Sequence, residues 1–61
     1  MTFKDLRRRS CLEVTEAANA LKISVHTIYK IEEGTRKPSI KLVKRMCDIY
    51  KVTIEELFNL L

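Results

Sequence analysis

Apolar residues recur at helical spacing along almost the whole chain, and nowhere do they alternate in the rhythm of a strand. Val14, Ala17, Ala18 and Leu21 follow the i, i+3, i+4, i+7 pattern of one helical stripe, and Val43, Met46, Cys47 and Tyr50 repeat it. The pattern predicts an all-α fold of five short helices. Thr2 caps the first, which holds Phe3 and Leu6 and ends near Arg7, Arg8 and Arg9, where cations complement the helix dipole. The second runs from about Val14 to Leu21. The third, capped by Ser24 and ended by Gly34, runs from about Val25 to Glu33. Pro38 biases Lys37 away from helix, so the fourth starts behind Ser39. The fifth opens on the capping box Thr53-Ile54-Glu55-Glu56 and ends in Leu57, Phe58, Leu60 and Leu61.

Only Lys22-Ile23-Ser24 separates the second helix from the third. Two short helices joined by such a turn, with alanines inside the angle, make a helix-turn-helix unit. The third helix is too short to persist alone in water. At about 100° per residue, Ile28, Ile31 and Glu32 share one side of it, with Val25 at the boundary. The isoleucines belong to the core. Glu32 then lies at the core edge, where a lone carboxylate is costly, and Arg7 is its expected partner in a two-pronged pair. His26, Tyr29, Lys30 and Glu33 face the other way.

That outward face is either a solvated surface or a reading surface. Basic residues surround it: the stretch Thr35-Arg36-Lys37 directly after Gly34, then Lys41, Lys44 and Arg45. A protruding helix flanked by cations suits a DNA major groove with phosphates on either side.

Composition narrows the options. The chain has 61 residues, one domain with no repeat or linker, and is too small to enclose a deep catalytic pocket easily. A net charge of +4 suits an anionic partner or serves solubility. Cys11 and Cys47 are too few and too far apart for a zinc site or disulfide framework, and are expected to be free buried thiols in a reducing, cytoplasmic setting. No residues form a catalytic constellation, and His26, the single histidine, has no second ligand at metal-binding spacing. No enzyme activity, metal, cofactor or small-molecule ligand is expected. The opening residues predict no signal peptide, and no run is apolar enough for a membrane helix.

The stretches Leu6-Arg7-Arg8-Arg9, Ile23 through Ser39 (ISVHTIYKIEEGTRKPS) and Val52-Thr53-Ile54-Glu55-Glu56-Leu57-Phe58, with Ala18 and Leu21, resemble the Cro/repressor-type helix-turn-helix domains, the xenobiotic-response-element family. The resemblance spans about Phe3 to Phe58. It implies a compact five-helix, lambda-repressor-like domain that binds double-stranded operator DNA as a homodimer and regulates transcription, here as a repressor on a palindromic operator. Carried over by position, it makes Val25, His26 and Lys30 base-edge contacts, with Tyr29 beside the groove. Thr27, Thr35, Arg36, Lys37 and Lys41 become backbone contacts. Arg7 and Glu32 match the family's buried ion pair. The chain departs from the pattern at Val14 and Val25, where the family often has glutamine, at Glu13 in place of a threonine or asparagine cap, at Lys22 in place of glycine, and at Glu33, whose charge repels phosphate.

The closing cluster Leu57, Phe58, Leu60 and Leu61 is too apolar for a free end. Either all four seal the core, or some do and the remainder forms an isologous dimer contact. The run Arg7-Arg8-Arg9 is either solvated or sends Arg8 or Arg9 to a phosphate. A rival reading keeps the fold but makes it a protein-interaction module, antirepressor- or antitoxin-like, with weak DNA binding.

Overall fold

A computed structural model describes residues 1–61. It contains five helices and no strand: α1 (Phe3–Arg9), α2 (Val14–Leu21), α3 (Val25–Glu33), α4 (Ile40–Tyr50) and α5 (Ile54–Phe58). None of them is long and apolar enough to cross a membrane. The predicted bounds of α2 and α3 and the predicted starts of α1, α4 and α5 agree, but α5 stops at Phe58 and leaves Leu60 and Leu61 outside it.

The starts are set by hydroxyls. Thr2, Ser24, Ser39 and Thr53 each accept a hydrogen bond from the backbone N–H three residues on, at 3.1 to 3.2 Å. Thr2 pairs reciprocally with Asp5, and Thr53 with Glu56. α2 differs: the Glu16 carboxylate accepts from the Glu13 N–H at 2.9 Å, so this helix is anchored by the third residue inside it.

The ends of α1 to α4 share one device. In each, a residue just past the helix is left-handed: Cys11 (φ 59), Lys22 (φ 58), Gly34 (φ 86) and Lys51 (φ 56). The next N–H then reaches back to a carbonyl five residues earlier: Leu12 to Arg7, Ile23 to Ala18, Thr35 to Lys30 and Val52 to Cys47, at 3.0 to 3.2 Å. These are Schellman closures, which satisfy carbonyls that a helix end otherwise leaves open. Glycine takes such a backbone freely, yet it supplies only one of the four.

α2 packs on α3 and α4, α1 packs on α3 and α4, and α4 packs on α5. The core runs from Phe3 and Leu6 through Ala17, Ala18, Leu21, Ile28 and Ile31 to Val43, Met46, Tyr50 and Leu57. Ala17 and Ala18 are buried where α2 meets its neighbours, and their small side chains permit close approach. Leu57, expected among the dimer residues, is fully buried in the chain's own core and has no surface left for a partner. The thiols also depart from expectation: both are free, but Cys11 is exposed and Cys47 only half-buried. Cys11 is displaced outward because it occupies the left-handed position that ends α1.

Candidate nucleic-acid interface

The orientation of α3 is fixed from beneath. Ile28 and Ile31 are buried, and Glu32 is bound to Arg7 on α1. Arg7 Nε donates to Glu32 Oε2 at 2.8 Å and Nη2 donates to Oε1 at 3.3 Å, the expected fork. Arg7 Nη1 also donates to the Leu12 carbonyl at 3.0 Å, tying the pair to the loop before α2. The hydrogen bond to Glu32 raises the Arg7 pKa above its ordinary value, and burial works against it.

With its inner face pinned, α3 presents His26, Tyr29 and Glu33 to solvent, with Lys30 half-buried among them. Val25 is half-buried and packs against the core, so it offers one edge. Ser24 and Thr27 share a hydroxyl–hydroxyl hydrogen bond of 2.9 Å, and Ser24 Oγ also accepts from the Thr27 N–H. Whichever hydroxyl donates across the pair, the other keeps its proton for an outside acceptor.

A cleft of about 430 Å³ opens between the starts of α3 and α4. Arg36, Lys37, Lys41 and Arg45 supply its cations, Ser24, Thr27 and Ser39 supply hydroxyls, and no carboxylate lines it. Two helix N-termini meet there, each with free N–H groups that favour an anion. Arg45 was not among the site residues expected from sequence. It stands one turn after Lys41, lines the cleft, and its Nη1 donates to the Leu21 carbonyl at the end of α2 at 3.5 Å. The i, i+4 spacing of Lys41 and Arg45 was the available signal.

Thr35 and Arg36 are exposed, as is Lys37, but Thr35 is not free. Its hydroxyl donates to the Lys30 carbonyl at 3.2 Å, as do its own N–H and that of Arg36 at 3.0 and 3.3 Å. A hydroxyl committed this way has no proton for a phosphate, so Thr35 closes α3 in this structure.

On the opposite side of α3 lies a wider groove of about 690 Å³. Lys4 and Arg8 of α1 line it with Val14, Tyr29, Glu13 and Glu33. Its charge is mixed where the first cleft is wholly basic.

A family model described as a helix-turn-helix domain matches residues 1–60. The chain belongs to the helix-turn-helix family. Its type is that of the Cro/repressor domains, in keeping with the resemblance read from the sequence. In this helix-turn-helix chain α2 and α3 are the motif, and Lys22–Ser24 is its turn. Among characterised proteins it is similar to the cryptic phage CTXphi transcriptional repressor RstR of Vibrio cholerae, with 32% identity over 57 residues. The match covers 93% of this helix-turn-helix chain and 51% of that repressor, so the chain spans about half of its relative's length. No solved structure matches it significantly.

Proposed function

We propose that this chain is a sequence-specific double-stranded DNA-binding regulator of transcription, a repressor that acts by occupying its operator. The observation that carries the reading is the arrangement about α3: an outward polar stripe directly beside a carboxylate-free cleft holding four cations. In the proposed complex α3 enters the major groove. His26, Lys30 and the edge of Val25 meet bases, and Tyr29 lies along the groove wall. Arg36, Lys37, Lys41 and Arg45, with the spare hydroxyl proton of the Ser24–Thr27 pair, hold phosphates. A valine edge favours the thymine methyl over an amide-read adenine. The name of the similar phage protein, a transcriptional repressor, supports the same direction.

The proposed complex is a homodimer on a palindrome. Phe58 and Leu61 are 46% and 43% exposed at the end of the chain, with Leu60 half-buried beside them. They supply the self-complementary apolar contact once Leu57 is assigned to the core. Binding two half-sites one turn of B-DNA apart would require the two α3 helices of such a dimer to stand about 34 Å apart.

Selection of bound duplexes from a random pool at about 150 mM salt tests the proposal. The expected product is a palindrome of two half-sites. A folded protein that enriches nothing would overturn it and leave the outward stripe as a solvated face or a protein-docking face.

A further inference from the structure

An α-helix with its side chains is about 10–12 Å across, and the major groove is about 12 Å wide. A helix seated there meets a sugar–phosphate backbone along each of its flanks. On one flank of α3 stands the basic cleft of Arg36, Lys37, Lys41 and Arg45. On the other, the side chain of valine at position 14 offers no hydrogen-bond donor to the second strand.

We infer that Lys4 and Arg8 on α1 hold that second backbone. The inference rests on the DNA-binding reading above and adds a second grip to it. Lys4 and Arg8 are one turn apart on the same face of α1, both exposed, and both line the groove that Tyr29 and Val14 share. Arg7, between them in sequence, points inward to Glu32 and is already spent. Arg9 points elsewhere: it lines a separate surface hollow with Ile49, Tyr50 and Lys51, away from α3. Three consecutive arginines therefore have three different jobs: Arg7 structural, Arg8 on the DNA side, Arg9 in solvent on the far side.

Glu13 and Glu33 line the same groove, and their charges oppose a phosphate lodged beside them. The backbone is consequently held at the α1 lip, where long, flexible cationic side chains reach outward past them. Val14 and Tyr29 line the same groove without adding charge.

The test compares Arg8→Ala, Lys4→Ala and Arg9→Ala with the parent protein, each checked for an unchanged melting temperature. The probe is the duplex recovered by selection, or a mixed-sequence duplex of about 30 base pairs, roughly three helical turns, if none is recovered. Affinity is measured across a series of salt concentrations. Arg8→Ala and Lys4→Ala are each expected to flatten the log–log salt dependence by about 0.9 for every phosphate no longer neutralised, without changing the preferred sequence. Arg9→Ala is expected to match the parent. An Arg8→Ala slope equal to the parent's, or an Arg9→Ala slope as flat as that of Arg8→Ala, overturns the inference while DNA binding stands. A parent protein that binds neither duplex overturns DNA binding and the inference together.

Discussion

Arg7 and Glu32 face each other across 25 positions of sequence through two hydrogen bonds, and together they join α1, the loop before α2 and α3 into one unit. Their side chains are 10% and 9% exposed. Removal of one partner leaves the other charge poorly solvated, which typically costs about 3–5 kcal/mol. Arg7→Ala is therefore expected to lower the melting temperature by more than about 10 °C, since about 1 kcal/mol shifts a domain of this size by several degrees. Arg7→Lys keeps the charge and loses the fork, so an intermediate value is expected. Thermal melts followed by circular dichroism decide it; an unchanged Arg7→Ala midpoint would contradict the burial assigned to the pair.

Lys30 is central on the outward stripe of α3. Lys30→Ala is expected to weaken operator binding by about 1–3 kcal/mol and to relax preference at the base pairs it meets. Repeating the duplex selection with the variant reads both effects. Parent-like affinity and sequence preference would take Lys30 off the reading face.

Glu33 lies on the groove that Lys4 and Arg8 share. Glu33→Gln removes a repulsive charge and is expected to tighten DNA binding, more strongly at low salt than at high salt because the repulsion is screened. Titrations at two salt concentrations check this, and weaker binding by the variant would mean that Glu33 touches the DNA favourably instead of obstructing it.

Tyr50 is buried beside Arg7 and Glu32, and burial first, then the Glu32 charge, pushes its pKa from 10.0 up to about 12, with Arg7 opposing. A phenol whose folded pKa is raised contributes stability that is complete below its unfolded pKa and is lost as pH rises through the folded value. The parent is therefore expected to lose stability between about pH 10 and pH 12 more steeply than Tyr50→Phe. Melting midpoints of both proteins across that window give the difference, and parallel curves would show that Tyr50 does not contribute.

Lys22 sits at φ 58 and ψ 43 with an ordinary side chain. Left-handed backbone costs such a residue about 1 kcal/mol or more; glycine escapes that strain but gives part of the gain back through its more flexible unfolded chain. Lys22→Gly is expected to raise the melting temperature by a few degrees. Gly34→Ala should do the reverse: nothing stands within 4 Å of an added Cβ, so only the φ of +86° opposes it. Thermal melts of both variants beside the parent check the two signs.

The parts of this fold that were legible in the sequence are those carried by residue type at fixed spacing. Ser24 and Ser39 cap because a hydroxyl three residues before a free N–H can do little else, and the periodicity of α2 and α4 left one choice of buried face. Glu32 was legible as a carboxylate forced to the core edge. The helix ends at Cys11 and Lys51 were not legible, because a left-handed residue announces itself mainly through glycine and neither has one. The separation of Arg8 from Arg9 was hidden too. One residue of helix turns a side chain by about 100°, and only the packing of α1 on α3 and α4 says which way that points. Leu57 and Phe58 posed the same problem at α5, and Leu57 took the core.

The carbonyl of Lys30 accepts from the Thr35 N–H, the Arg36 N–H and the Thr35 hydroxyl at once. In the proposed complex, the helix that reads bases and the loop that grips phosphates would thereby be joined at a single atom. Re-aiming the basic loop while the helix stays put, or tilting the helix without the loop, would break these hydrogen bonds. If it reads DNA as proposed, such a domain would have little slack to accommodate an altered operator by adjusting its pose. New targets have to be acquired by exchanging side chains along a stripe of fixed geometry, and a family built on this joint would diversify its vocabulary without changing its grip.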